Sequence, residues 1–212
     1  MAKPGKGILG GFSGKVGTVV GSTWRGISYM RSLPTRSKNR KPTEEQEVQQ
    51  AKFKMAANFL RNFSQLFNVS YQPVAGQTGR NLALSNVLAQ AMAGVYPNLM
   101  IDYGMVLVSK GSLKKAVNPA VVSNLPGKLK FTWTNDTGSG NAKTSDKAIM
   151  VVYDEQFGDV IYSTSGANRS TGEAELDVTQ FSGKPVHTWL AFRSADGRLV
   201  ADSGYTGVIA VQ

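Results

Sequence analysis

The stretch GGFSGKVGTVVGSTWRGISYMRSLP, Gly10 to Pro34, sets nearly bare backbone beside lysine and arginine, the raw material of an anion site. A nucleotide-binding P-loop requires G-x-x-x-x-G-K-[ST]. Here the residue five before Gly14 is Leu9, and Lys15 is followed by Val16, so the pattern fails at both ends. A G-x-G-x-x-G does occur at Gly5, Gly7 and Gly10. It has no strand before it, and Gly11, Phe12, Ser13 and Gly14 after it do not open a helix, so it is not a dinucleotide fingerprint.

Other chemistry is equally thin. The single histidine, His187, stands between Val186 and Thr188 in a strand-like run and reads as a surface or half-buried strand residue, with no partner at a recognisable spacing. Glu173 and Glu175 share a strand face and Asp154 and Glu155 a strand end, but a glycosidase pair is defined by separation in a cleft, which sequence spacing does not give. NDTGSGN, Asn135 to Asn141, offers oxygen ligands without the closing glutamate of an EF-hand and reads as a plain hairpin loop. Gly104, Ser109 and Gly111 do not form a nucleophile elbow, and neither HExxH nor CxxC occurs. Zero cysteines exclude disulfides, thiolate metal sites and a Cys nucleophile. The residues argue against an enzyme, and no cofactor, metal or small-molecule substrate is expected.

The elements that carry these residues fall into three segments. In the first, residues 1–42, Thr18 to Met30 is rich in β-branched and aromatic residues punctuated by glycine, a β-ribbon whose turn lies at Gly21-Ser22 or at Arg25-Gly26. A polar, proline-bounded linker follows from Ser32 to Thr43. In the second, residues 43–115, Thr43 and Gln46 have capping-box spacing, and Glu44, Glu45 and Glu47 suit the positive end of a helix dipole. Val48, Ala51, Met55, Phe59, Phe63 and Leu66 then form an apolar stripe, predicting one helix from about Glu44 to Phe67. A second helix ends near Gly94, and Leu99 to Val108 is strand-prone, with Asp102 expected to pair with an arginine or a backbone amide. The uncharged run Asn81 to Ile101 holds several amides and Pro97, so it reads as a buried helix and turn, not a membrane span.

The third segment, residues 116–212, alternates short apolar strands with turn signals. Strands are expected near 120–123, 128–134, 147–153, 160–165, 173–178, 186–193 and 200–209, with Trp133 and Trp189 on inner faces. The fold class expected is α+β: an N-terminal glycine-rich ribbon and basic linker, a central helical segment, and a C-terminal immunoglobulin- or fibronectin-like β-sandwich able to fold alone. Of the formal net charge of +10, residues 1–42 hold nine lysines and arginines and no acid, while residues 116–212 hold eight cations and ten acids. That asymmetry predicts a basic arm facing a polyanion or an acidic partner.

GILGGFSGKVGTVVGSTWRGISYMRSLP, then KPTEEQ leading into AKF, and the closing FRSADGRLVADSGYTG resemble a family of small proteins, without an activity to transfer, common in Bacteroidota and their phages. The N-terminal order of ribbon, R-x-x-P, P-T-x-x-Q and a helix with a Lys-Phe pair is also similar to small structural proteins of tailed-phage virions. The resemblance implies a non-enzymatic virion component, a connector, tail or capsid-associated protein, that forms homo-oligomers and joins other virion proteins, located in the virion and in host cytoplasm during assembly. It singles out Gly14, Gly17, Gly21, Trp24, Gly26, Tyr29 and Arg31 for assembly, with Pro34, Pro42, Thr43, Gln46, Lys52 and Phe53 as further matching positions. Arg31, Arg36, Lys38, Arg40 and Lys41 are the expected contacts to an acidic partner or polyanion. The alternative is a nucleic-acid-binding protein in which these cations follow a phosphate backbone while Trp24 and Tyr29 stack on bases. No membrane partner is expected.

Overall fold

Strand-forming residues cluster at both ends of the chain and helix-forming ones between them, and the computed structural model of the protein follows that order. It describes residues 3–4, 12–24, 26–33, 41–72, 74 and 76–212. The chain divides into two compact units, Met1–Thr43 and Glu44–Gln212. In the first, β1 (Lys3–Pro4), β2 (Phe12–Val16), β3 (Val19–Trp24) and β4 (Ile27–Ser32) make one antiparallel sheet in chain order.

The second unit opens with α1 (Glu44–Phe59). Its predicted continuation to Phe67 does not occur: the chain passes through turns to the short α2 (Phe67–Ser70). Leu60, Phe63, Leu66 and Phe67 are all buried. With Ala56 and Phe59 they continue one apolar stripe, which is why the spacing predicts a longer helix than the chain forms. The helix α3 (Gly79–Asn86) is capped by the Thr78 side chain, which accepts from Asn81 N at 3.3 Å, and widens into a π-helical turn over Val87–Ala91. The hairpin β5 (Met92–Val95) and β6 (Asn98–Ile101) follows. Asp102 behaves as expected of a strand-end carboxylate, its Oδ1 accepting from Gly104 N at 3.0 Å to start a 3-10 turn at Tyr103. Among the described residues no helix is long and apolar enough to cross a membrane.

Seven strands complete the unit: β7 (Val117–Leu125), β8 (Lys128–Thr134), β9 (Lys147–Tyr153), β10 (Val160–Ser163), β11 (Glu173–Asp177), β12 (Pro185–Arg193) and β13 (Gly204–Ala210). They form two antiparallel sheets, ordered β11-β8-β7 and β10-β9-β12-β13, packed as a sandwich. Leu129, Phe131, Trp133, Met150, Val152, Leu190 and Phe192 fill the space between the sheets. The larger sheet is buried on its other face as well. There Ile149, Val151, Tyr153, Trp189 and Ala191 pack with Phe59, Phe63, Phe67, Val87 and Ala91 of the helical segment.

This second core corrects two expectations. Trp189 does not share the inter-sheet layer with Trp133; it lies under the helices, because neighbouring residues of a strand point to opposite faces and β12 is apolar on both. The boundary expected near residue 115 does not separate two cores, since the cluster runs from Ala56 through Val108 to Val200. Helices and sandwich are layers of one unit.

Candidate functional site

The assembly residues expected from sequence lie on the sheet of the first unit. Val16 pairs with Val19 across Gly17-Thr18, and Trp24 pairs with Ile27 across a turn containing Gly26, so both connections are two-residue hairpins. Gly17 and Gly26 have φ of 57° and 84°, the left-handed backbone such turns favour. The alternative turn at Gly21-Ser22 is not used: both residues are inside β3. Gly21, which faces Gly14 across the β2–β3 pair, is the one buried position among the described residues of this unit. A side chain there would collide with the Phe12 carbonyl and come within 2.7 Å of the Phe12 ring, so the register needs glycine.

Directly opposed residues share a face of an antiparallel sheet. The pairs Trp24 with Ile27, Ser22 with Tyr29, and Val20 with both Arg31 and Lys15 therefore gather an aromatic, aliphatic and cationic surface on one side. It is open: Trp24 is 62 % exposed, Ile27 66 %, and every residue of β4 is exposed. At the sheet's far side β4 pairs only with β3 among the described residues, leaving its outer edge without a strand partner. Of the five expected polyanion contacts, Arg31 lies on this surface and Lys41 is exposed beyond it; Arg36, Lys38 and Arg40 lie outside the described residues, as does Pro34.

A family of unknown function, DUF6266, matches residues 11–207. The chain belongs to it. No curated protein matches at a significant level. Among solved structures the chain is similar to the fibronectin type III domain of human collagen alpha-1(XX) chain, at 13 % identity over 49 % of this chain and 90 % of that one, with a TM-score of 0.36. A likeness at that score leaves the topology to be read from this chain's own strands.

The second unit holds a cluster that its sequence did not reveal. The His187 Nδ1 lies 2.8 Å from the Tyr205 hydroxyl, and its Nε2 lies 3.5 Å from Glu155 Oε2. The Tyr103 ring packs 3.9 Å from the imidazole, centroid to centroid, and Tyr153 and Trp189 flank it. These residues come from the turn after β6, the end of β9, and the paired strands β12 and β13, so no spacing along the chain announces them. Burial, then the charges of neighbouring Tyr153 and Glu155, keeps the Tyr103 phenol protonated, and burial likewise raises Tyr153 and Tyr205. Burial lowers the His187 pKa, an effect that Glu155 offsets only in part. The cluster at neutral pH thus sets three protonated phenols and a neutral imidazole beside the Glu155 side chain.

The loop Asn135 to Asn141 is spoken for by the protein's own cations. Asp136 takes Arg169 Nε at 2.7 Å and Lys114 Nζ at 3.2 Å, and Asn141 Oδ1 accepts from Lys114 N. Among the described residues no group of His, Cys, Asp and Glu is placed to hold a metal ion.

A pH effect follows from His187. Its folded pKa is below the unfolded value near 6.5, so the unfolded chain takes up its proton first as the pH falls. Its contribution to stability is complete above about pH 6.5 and is lost as pH drops toward the folded pKa. His187→Gln is expected to flatten the fall in urea midpoint from neutral to mildly acidic pH. An unchanged slope would show that burial does not govern this group.

Proposed function

We propose that this protein is a non-enzymatic structural component of a phage virion, a connector, tail or capsid-associated protein, and that it assembles through its N-terminal ribbon. The observation that carries the proposal is the state of β4: an exposed edge strand beside exposed Trp24, Ile27 and Tyr29. A small ribbon with so little buried surface is marginal alone and gains stability when another chain adds a strand to its edge. The virion setting comes from the resemblance of the ribbon, R-x-x-P and P-T-x-x-Q series to tailed-phage structural proteins. The order of the seven sandwich strands supports taking residues 117–210 as an immunoglobulin- or fibronectin-like sandwich.

Lys15 and Arg31 on the same face as Trp24 and Tyr29 favour a second reading, contact with nucleic acid by phosphate pairing and base stacking. The two separate cleanly in a salt series. With Arg31, Arg36, Lys38, Arg40 and Lys41 all neutralised, an assembly protein is expected to lose a minor electrostatic share of association and to bind duplex DNA weakly before and after. A nucleic-acid-binding protein instead loses about 0.9 from the slope of log affinity against log salt for each phosphate contact removed. Tight DNA binding at physiological salt that vanishes in the five-fold variant, with assembly intact, puts the second reading first.

A further inference from the structure

Three surface grooves of the second unit, of ≈ 410, ≈ 420 and ≈ 410 Å³, meet around the Tyr103, His187 and Glu155 side chains. Tyr103 borders the first and third, Glu155 the first and second, and His187 the second and third, so they form one continuous surface broken by side chains. Its walls are aromatic, with the His187 and Tyr205 rings stacked 6.0 Å apart and Tyr103 against the imidazole. Its rim is acidic, with Asp102 beside Tyr103 and Tyr205 and Glu155 beside His187.

What sets these two carboxylates apart is their place at the aromatic groove, since among the described residues Asp159 and Asp177 likewise meet no lysine or arginine within 4.0 Å. Elsewhere in the unit Asp136 meets Lys114 and Arg169, Asp154 meets Lys184, Glu173 meets Lys130, Glu175 meets Lys128 and Asp202 meets Lys115. Among the described residues, no lysine or arginine lies within 4.0 Å of Asp102 or Glu155. Glu155 meets an imidazole that burial holds neutral and the Tyr103 hydroxyl, and its side chain is 65 % exposed, open to a ligand. In a chain of net charge +10 with 24 lysines and arginines, two unmatched carboxylates around an aromatic cluster leave a local negative site.

We propose that this groove receives a lysine or arginine side chain presented by a partner protein. The electron-rich faces of Tyr103 and Tyr205 attract an alkylammonium or guanidinium group within about 6 Å of the ring centre. Glu155 supplies a charge-assisted hydrogen bond to that group, Asp102 on the adjoining groove adds negative charge to the rim, and the neutral phenols accept other hydrogen bonds. A carboxylate or phosphate ligand meets two like charges there and is repelled. An uncharged sugar has the ring faces to stack on but gains nothing from the carboxylates' charge. The site belongs to Glu44–Gln212 alone and stands or falls independently of assembly through the ribbon.

The test uses the full-length chain, whose single histidine gives one set of imidazole NMR signals. Nα-acetyl-lysine methylamide and Nα-acetyl-arginine methylamide are added at a pH above the His187 titration, beside acetyl-glutamate methylamide and glucose as controls. The two cations are expected to move the His187 signals saturably, and the controls are not. Joint Glu155→Gln and Asp102→Asn replacement is expected to weaken the cations several-fold. The side-chain amide that replaces the Asp102 carboxylate still offers a carbonyl to Gly104 N, so thermal unfolding stays unchanged. Signals that do not respond, that respond equally to glutamate or glucose, or that respond identically in the double variant overturn the proposal.

Discussion

Residues 44–212 prepared without the ribbon are expected to unfold in one cooperative transition like that of the intact unit, whereas residues 116–212 alone are expected to show none. The reason is the two-sided burial of the larger sheet. Removing the helical segment uncovers Ile149, Val151, Tyr153, Trp189 and Ala191 on the face that Phe59, Phe63 and Phe67 cover. Trp189 and Phe63 are both 0 % exposed in the intact unit. Truncating either to alanine is expected to cost about 3–5 kcal/mol, and losing the whole layer removes several such contributions. Against a total stability of about 5–15 kcal/mol for a domain, that loss leaves no folded state. Circular dichroism and urea unfolding of the two fragments decide the matter. A cooperative transition in residues 116–212 equal to that of residues 44–212 contradicts the shared core.

The second large effect concerns the ribbon. Gly21→Ala is expected to abolish assembly while leaving the second unit's unfolding untouched. The alanine methyl has no room under the Phe12 carbonyl and ring, so β2 must separate from β3 or shift register. A one-residue shift in a strand turns its side chains to the opposite face. Lys15 then leaves the face it shares with Trp24, Ile27, Tyr29 and Arg31, and β3 loses the strand that flanks it, so the damage reaches residues that the substitution does not touch. Gly21→Ala that assembles normally would show that the surface formed by this register is not the one used.

Local signals carried much of the architecture. Lys128 to Thr134 and Lys147 to Tyr153 are legible as strands because alternation and turn chemistry agree there, and the structure gives those bounds. The face that Trp189 occupies was not legible, since VHTWLAF is apolar at both parities and only the helices packed on one side assign it. Gly21 resembles a turn glycine, but its reason is the approach of Phe12, nine positions earlier. Arg169 sits in a polar run that looks like loop, yet it is fully buried, holding Asp136 and the carbonyls of Lys114 and Lys115 and stacked over Phe192 at 4.2 Å. His187, Glu155, Tyr103 and Tyr205 likewise become neighbours only through sheet pairing and the turn after β6.

The central claim is that assembly runs through the exposed face and edge of β3 and β4. Multi-angle light scattering of the full-length chain, beside a Trp24→Ser, Ile27→Ser variant, tests it most directly. Both positions are exposed, so the exchange removes apolar contact area without opening a core. The predicted result is a discrete oligomer, formed alone or with neighbouring virion proteins, that falls to monomer in the variant while the thermal transition of the second unit is retained. A full-length chain that remains monomeric both alone and with those proteins, or an oligomer that the paired substitution leaves intact, contradicts the account.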